Sequence, residues 1–377
     1  IGNADVTAIY MSQDKGATVF AAALGFGSTA MTLPTDDGDA NQVLETDGSG
    51  ALSWTTPSSG GASAIDDLSD AKSAGTNFTG SLIIGNQTTG TLDNASYNTA
   101  VGLVSLNAIT TGDLNTAVGW GTLSANTTGS LNTASGYGAL NSNTGGDRNI
   151  AIGSNAYDAA DLEDDNLAIG YDALGGNING GEQNVAIGNY SLDANTSGGY
   201  NVAVGYNSLS ENTTGGSNTA IGLGALQDNI GGALNDAHGV YSLGDNTTGD
   251  YNVALGSSSL RYNTTADGNT AIGYTALREA NRTADTDGFN TALGYNAGNT
   301  NTNDITTGNK NTLLGASTAA SAAAGTNQSV IGYGASGQAN NSVTLGTADV
   351  TAVYMSQDKG ATVYAAALGF GSTAMTL

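Results

Sequence analysis

The chain has 377 residues, including 57 glycines and no cysteine, and its formal net charge is −25. The lack of cysteine excludes disulfides and zinc–thiolate sites. The acidity argues against nucleic acid and anionic membrane surfaces as partners, because both attract basic patches. No apolar run reaches the roughly eighteen residues that a membrane-spanning helix needs, so we expect no membrane insertion of this segment.

Residues 1–33 return almost unchanged at 345–377, with 29 of 33 positions identical at an offset of 344 residues. Alternating patterns at 6–10 and 17–21 predict two strands, so we expect a β module at 1–33. The duplication predicts tandem units in a longer protein. We expect 347–377 to be the start of the next unit and the parent to be a giant extracellular protein.

Residues 34–59 are the predicted β-hairpin connector, with strands at 42–45 and 51–54 around Asp-Gly-Ser-Gly. Small residues dominate 60–80, which we expect to be a linker with an acidic patch. Asp37, Asp39 and Asn41 are the candidate calcium ligands, since calcium takes about six to eight oxygen ligands. They do not complete a calcium-loop signature, so a solvated acidic turn is the main interpretation, and we expect no other cofactor.

Residues 81–346 are organised by one repeated phrase, Asn-x-Ala-aliphatic-Gly. Neighbouring phrases are 17 residues apart, except for one spacing of 18 and two of 21. A fixed period of this size is typical of a solenoid, in which each module buries its apolar side by stacking on its neighbours. The phrases begin at Asn98, Asn115, Asn132, Asn149, Asn166, Asn184, Asn201, Asn218, Asn235, Asn252, Asn269, Asn290 and Asn311.

Each phrase is followed by a small residue and a leucine, and then by a turn of the Asn-Thr-Thr-Gly type. We expect two short strands and two turns per coil, with the leucines as a second row of core side chains. Asparagine amides are expected to form a ladder along the rod. The leucines are Leu106, Leu123, Leu140, Leu174, Leu192, Leu209, Leu226, Leu243, Leu260 and Leu277.

Helix is disfavoured, because glycine, asparagine and threonine fill the coils. The fold class is therefore all-β: a β-solenoid, or β-roll, of 17-residue coils, with short β-hairpin or β-prism-like modules at its ends. The phrase asparagines and the leucines are predicted to be structural residues, and no catalytic or cofactor-binding residue is expected.

The phrase followed by Ala-Leu or Ser-Leu resembles the head repeats of trimeric autotransporter adhesins and the NTAIGxxAL arrays of tail-fibre-like proteins of bacteria and phages. The resemblance covers residues 81–346, and VLETDGSGALSW within 34–59 resembles a connector of such fibres. It implies an extracellular or cell-surface protein and a left-handed coil. It also implies self-association as a parallel homo-oligomer, a trimer by default, with a larger parallel bundle or ring left open.

Three further features have simpler structural explanations. His238, the only histidine, replaces the aliphatic residue of its phrase and lacks the partner that a catalytic histidine needs. Residues 332–337 match G-x-G-x-x-G without a helix signal after them. Aromatic residues recur directly after the phrase, where they serve packing or bind sugars; they are Trp120, Tyr137, Tyr171, Tyr206, Tyr274 and Tyr295.

The sequence therefore predicts a structural repeat of an extracellular bacterial fibre that attaches cells to other cells or surfaces. It does not predict an enzyme, since only eight lysines and arginines are scattered through the chain. A phage tail-fibre shaft and a carbohydrate-binding solenoid module are the alternatives. The target cell or surface is not specified by the sequence.

Overall fold

A computed structural model of the chain describes residues 23–26, 29–32, 34, 39, 42–46, 51–56, 71–73, 77–85, 91–159, 161–177, 179–281 and 287–351. These residues contain β-strands and turns and no helix. The chain divides into two units, Ile1–Ser69 and Asp70–Leu377. The strands predicted at 6–10 and 17–21, and the module predicted at the C-terminal end from residue 352 onward, lie outside the described residues.

The first unit contains two antiparallel hairpins. β1 (Ala23–Phe26) pairs with β2 (Thr29–Thr32), and β3 (Val43–Thr46) pairs with β4 (Leu52–Thr55). In the second hairpin Leu44 lies opposite Trp54. The hairpin predicted in the connector is therefore confirmed.

The second unit contains the remaining strands, all short. They are β5 (Ala71–Ser73), β6 (Leu82–Ile84), β7 (Thr99–Val101), β8 (Thr116–Val118), β9 (Thr133–Ser135), β10 (Ile150–Ile152), β11 (Leu167–Ile169), β12 (Val185–Ile187), β13 (Val202–Val204), β14 (Thr219–Ile221), β15 (Asp236–His238), β16 (Val253–Leu255), β17 (Thr270–Ile272), β18 (Thr291–Leu293), β19 (Thr312–Leu314), β20 (Gln328–Ile331) and β21 (Ser342–Leu345).

From β6 to β21 each strand pairs in parallel with the next, and the register hardly varies. The central alanine of one phrase lies beside the central alanine of the next, as Ala186 does beside Ala203 and Ala203 beside Ala220. These alanines are fully buried, whereas the residues on either side of them point outward. The predicted all-β solenoid of roughly 17-residue coils is confirmed. Its sixteen stacked strands extend for about 75 Å at about 4.8 Å per strand.

The expectation of two strands per coil is wrong, because each coil has a single strand of three or four residues and the leucine lies in a turn. Leu106, Leu123 and Leu209 have φ angles of 48°, 48° and 52°, in the left-handed region. The small–Leu pattern therefore reflects a turn that directs the leucine inward. The turn still bonds coil to coil, since the Leu209 N–H donates to the Ala225 carbonyl at 3.0 Å.

Part of the stretch predicted to be a linker at 60–80, namely 71–73 and 77–80, belongs to the start of the solenoid unit. β5 pairs antiparallel with β6, and Phe78 is buried in the core. The alternation of small residues hid this strand, because Ala71 and Ser73 carry little strand propensity. The antiparallel strand covers the edge of the first parallel strand, which would otherwise be open for pairing.

The core is narrow, and most coils contribute one leucine and one or two small residues to it. In two neighbouring coils a small and a large core residue are interchanged. Gly298 stands at the leucine position of one coil, and Leu313 stands at the alanine position of the next. A Cβ atom added to Gly298 would lie 3.0 Å from Leu313 Cδ1. The larger side chain therefore occupies the space that the glycine leaves.

Candidate functional site

The asparagines that open the phrases form a continuous ladder inside the rod. In each step the side-chain Oδ1 accepts the backbone N–H of the next phrase asparagine, as from Asn218 to Asn201 at 3.0 Å. The Nδ2 group donates to a carbonyl of the following turn, as from Asn201 to Gly215 at 2.9 Å. These side chains are buried, including those of Asn98, Asn115, Asn132, Asn149, Asn166, Asn184, Asn201, Asn218, Asn252 and Asn269.

A second amide ladder was missed by the sequence analysis, which assigned its asparagines to turn formation. Asn195, Asn212, Asn229, Asn246 and Asn263 are buried, and each Nδ2 after the first donates to the preceding Oδ1 at 2.7–3.0 Å. The Asn263 Oδ1 atom has no hydrogen-bond partner, because the next coil has Ala280 in this place. The recurrence of asparagine at a fixed position was the signal for this ladder.

The predicted leucines Leu106, Leu123, Leu140, Leu174, Leu209 and Leu226 are all fully buried. Tyr157 takes this position in one coil, where its hydroxyl accepts a hydrogen bond from Asn166 Nδ2 at 2.7 Å. Burial, followed by the charge of Glu163, raises the pKa of Tyr157. The Glu163 carboxylate is itself only 6% exposed and accepts backbone N–H groups, including that of Gly180 at 2.9 Å. These residues are bonded within the rod and present no open site.

The outside of the parallel sheet is the most distinctive surface of the described chain. Each strand from β6 to β21 places two residues there, one on each side of its inward residue. We call this surface the outer face. Its residues, in pairs, are Leu82 and Ile84, Thr99 and Val101, Thr116 and Val118, Thr133 and Ser135, Ile150 and Ile152, Leu167 and Ile169, Val185 and Ile187, Val202 and Val204, Thr219 and Ile221, Asp236 and His238, Val253 and Leu255, Thr270 and Ile272, Thr291 and Leu293, Thr312 and Leu314, Ser329 and Ile331, and Val343 and Leu345.

The outer face is flanked by large exposed side chains on both sides. Leu131, Tyr200 and Tyr251 lie just before the buried asparagines, and the predicted aromatic stripe lies just after the glycines. Within the stripe Trp120 and Tyr137 stack with ring centroids 4.8 Å apart. Tyr274 and Tyr295 stack at 5.5 Å, and Tyr190, which lies beside the stripe, contacts Tyr171 and Tyr206 edge to face.

The outer face is long and mostly apolar, although threonine and serine interrupt it. With its flanks it spans about 75 Å by 13 Å, or about 1,000 Å² in projection. A standard protein–protein interface buries about 800 Å² on each partner. The outer face therefore has the dimensions of an interface.

Charge is almost absent from the outer face, although the chain carries a net charge of −25. Arg148 lies at its margin and bonds to Asp165, with Nε 2.6 Å from Oδ1. That hydrogen bond, with the charges of Asp165 and Asp164, raises the pKa of Arg148. The same hydrogen bond and the positive charge of Arg148 lower the pKa of Asp165. Only β15 places ionisable groups on the face itself, namely Asp236 and His238.

Asp236 and His238 border a shallow depression of about 320 Å³, together with Thr219, Val253 and Leu255. The sequence alone favours a tolerated substitution at His238. Within the described residues its side chain makes no hydrogen bond or ion pair, and neither does that of Asp236. Burial of these two groups by another molecule would require that molecule to supply partners.

Many of the acidic residues lie on another side of the coil. Glu211, Asp228 and Asp245 occupy the same position in three successive coils. Burial and the charge of Glu211 raise the pKa of neighbouring Asp193 to about 6. Burial and the charge of Asp245 raise the pKa of Asp228. This acidic side remains suited to contact with water, in contrast to the outer face.

Among the described residues, the structure adds no ligand groups to the calcium candidates and no helix to the 332–337 segment. Asp39 is exposed, and Asp37 and Asn41 lie outside the described residues. No group of three or more histidine or acidic side chains among the described residues is placed to hold a metal ion. The 332–337 segment follows β20 and continues as a turn instead of a helix. The described part of the chain has no helix of the length and hydropathy needed to cross a membrane.

The fold and this surface define a class: a parallel β-solenoid with an internal amide ladder and an apolar outer face. Neither a protein-family model nor a curated protein matches the sequence.

Proposed function

We propose that this chain is a structural segment of an extracellular bacterial fibre, in which parallel copies associate side by side through the outer face. The fibre attaches cells to other cells or to surfaces, and this segment supplies stiff length. The proposal is supported by one observation above all: a mostly apolar and almost uncharged surface of interface size runs along the described solenoid of a strongly acidic chain.

The internal structure favours a mechanical role. Each coil is bonded to the next by its strand, its leucine turn and its buried asparagine, as at Asn201, Val202 and Leu209. A load along the rod would be shared by these parallel bonds. Because each repeat contacts only its neighbours, length can be added without a change of core.

Association through the outer face would leave the acidic residues at the surface of the assembly. Their mutual repulsion keeps the fibre soluble and opposes unspecific bundling. The resemblance to trimeric adhesin heads makes three copies the default, and the area of the face is sufficient for two or more.

The test is the absolute mass of the chain in solution by light scattering, with and without a calcium chelator. We expect a mass of two or more copies, unaffected by chelation. The variant Val202→Lys/Val204→Lys places two charges on the face and should be monomeric, whereas Thr248→Lys, on an exposed turn away from the face, should assemble normally. A stable wild-type monomer would refute the proposed assembly.

A carbohydrate-binding module is a second candidate, favoured by the exposure of the aromatic stripe. Tyr137 and Tyr206 are 55% and 51% exposed. Sugars bind to open ring faces, but the stacked pairs cover one face of each ring, as for Trp120 and Tyr137. Glycan-array binding that is lost in Tyr137→Ala and Tyr171→Ala would favour this function over a purely structural one.

A further inference from the structure

We propose that Asp236 of one copy pairs with His238 of another, and that this contact fixes the copies in parallel and in register. The inference rests on the proposed association through the outer face. It goes further by assigning a contact between copies to two named side chains.

Asp236 and His238 are isolated from other ionisable groups on the outer face. In the adjacent strands the outer face carries Thr219 and Ile221 on one side and Val253 and Leu255 on the other, and none of these residues is ionisable. A carboxylate and an imidazole therefore lie in the middle of an apolar surface. An interface that covered them without partners would be strongly weakened, because a buried unpaired charge is costly.

The strands run across the rod, and this direction decides which residues of two copies meet. Around any symmetry axis parallel to the rod, the end of a strand in one copy meets the beginning of the same strand in the next copy. Asp236 is the first residue of β15 and His238 is the last. Rotational symmetry therefore brings the acid of one copy to the imidazole of another, in a pair of copies as well as in a larger ring.

The same geometry excludes the alternatives. If two copies overlapped fully but ran in opposite directions, β15 would lie opposite β12, whose outer residues are Val185 and Ile187. A slip of one coil would place Asp236 and His238 opposite residues of β14 or β16, which are not ionisable either. Only the parallel, in-register arrangement supplies each charge with a partner. One coil thus specifies the register of a surface that is otherwise nearly uniform.

The primary test exchanges the two residues. Asp236→His places imidazoles opposite imidazoles, and His238→Asp places carboxylates opposite carboxylates. Each single variant should raise the concentration needed for assembly by about tenfold or more. The double variant Asp236→His/His238→Asp restores acid opposite imidazole and should assemble within about threefold of the wild type. Thr248→Asp is the control for a change of charge outside the face.

Disulfide cross-linking between copies measures the register directly. Because the wild-type chain has no cysteine, only the introduced thiols can react. In Thr219→Cys/Ile221→Cys, the two thiols of the same coil should meet between copies and give covalently linked chains on oxidation. In Thr219→Cys/Leu293→Cys the thiols lie in different coils, and we expect no linkage between copies.

The outcomes separate the inference from the proposed function. A wild-type chain that stays monomeric would refute both. Assembly that is equally strong in the wild type and in both single variants would overturn the charge contact and leave the fibre proposal standing. Linkage in the offset cysteine variant, instead of in the same-coil variant, would overturn the parallel register alone.

Discussion

The buried amide ladder should make Asn201→Ala one of the most damaging small substitutions in the solenoid. The Asn201 side chain accepts the Asn218 N–H at 3.0 Å and donates to the Gly215 carbonyl at 2.9 Å. That carbonyl keeps a bond from Asn212 Nδ2, but the Asn218 N–H has no other acceptor. One orphaned buried donor and the lost bonds should lower the free energy of unfolding by about 2–4 kcal/mol.

Urea denaturation followed by circular dichroism, at one fixed protein concentration, measures this loss. Asn229→Ala is the matched control, because Asn229 bonds to side chains and to the Gly232 carbonyl but holds no backbone N–H. An isoleucine already stands at the equivalent position of an earlier coil, Ile109. We expect a smaller cost, about 1 kcal/mol. An Asn201→Ala variant no less stable than Asn229→Ala would refute the reasoning.

Three further predictions follow from local geometry. Gly205→Ala should cost about 3 kcal/mol or more, because φ is 141° and the new Cβ would lie 2.4 Å from a carbonyl oxygen of the next coil. Gly175→Ala meets nothing closer than 3.4 Å and should stay within about 1 kcal/mol in the same denaturation assay. Asp193→Asn should stabilise the protein by about 1 kcal/mol above pH 6, after allowance for the partial exposure of this side chain. The raised pKa of Asp193, about 6, disfavours the ionised form in the folded state. Wild-type stability should therefore rise as the pH falls from about 6 towards 4, and a pH series in which the variant gains nothing would contradict this. Leu313→Ala should cost about 2–4 kcal/mol, and Leu314→Ala, on the outer face, clearly less in monomeric protein; thermal melts at low concentration compare the two.

The period of the sequence was sufficient to predict the solenoid. Each strand is specified by an alanine between two larger residues, with a buried asparagine before it and a glycine after it, as in Asn201, Ala203 and Gly205. These signals are local and repeat many times, so a coil with an atypical sequence can still be assigned by alignment with the other coils. The same repetition was sufficient to predict which asparagines and leucines lie in the interior of the solenoid.

The leucine turn could not be recognised in the same way. Leucine rarely adopts a positive φ, so its recurrence beside a small residue suggested an extended strand. In the structure the bonds between coils and the burial of the side chain hold Leu209 at a φ of 52°. Tertiary stacking thus overrides local preference, and no single coil carries the information.

The outer face was also hidden in the sequence. Val202 and Val204 have the character of ordinary core residues of a strand. In a strand of three residues, hydrophobicity alone suggests that the two valines face the core, whereas the structure buries the small Ala203 between them. The second ladder shows a similar limit: asparagine at a turn has its own local explanation, as for Asn229, and only stacking reveals that its amide is buried. His238 was noticed as an exception, but its place beside Asp236 on an apolar face required the structure.

Because the register of the strands is constant, the length of the solenoid is set by the number of its coils. Thr270 pairs with Thr291 across 21 residues, and Leu167 pairs with Val185 across 18, yet both pairs are as well aligned as those 17 residues apart. Insertions between strands therefore change the outline of the rod without changing its length. Only the gain or loss of a complete coil alters the length, in steps of about 4.8 Å. If one copy had an additional coil, its outer face would be in register with that of its partner only on one side of the insertion. A fibre of such chains therefore selects partners with the same number of coils.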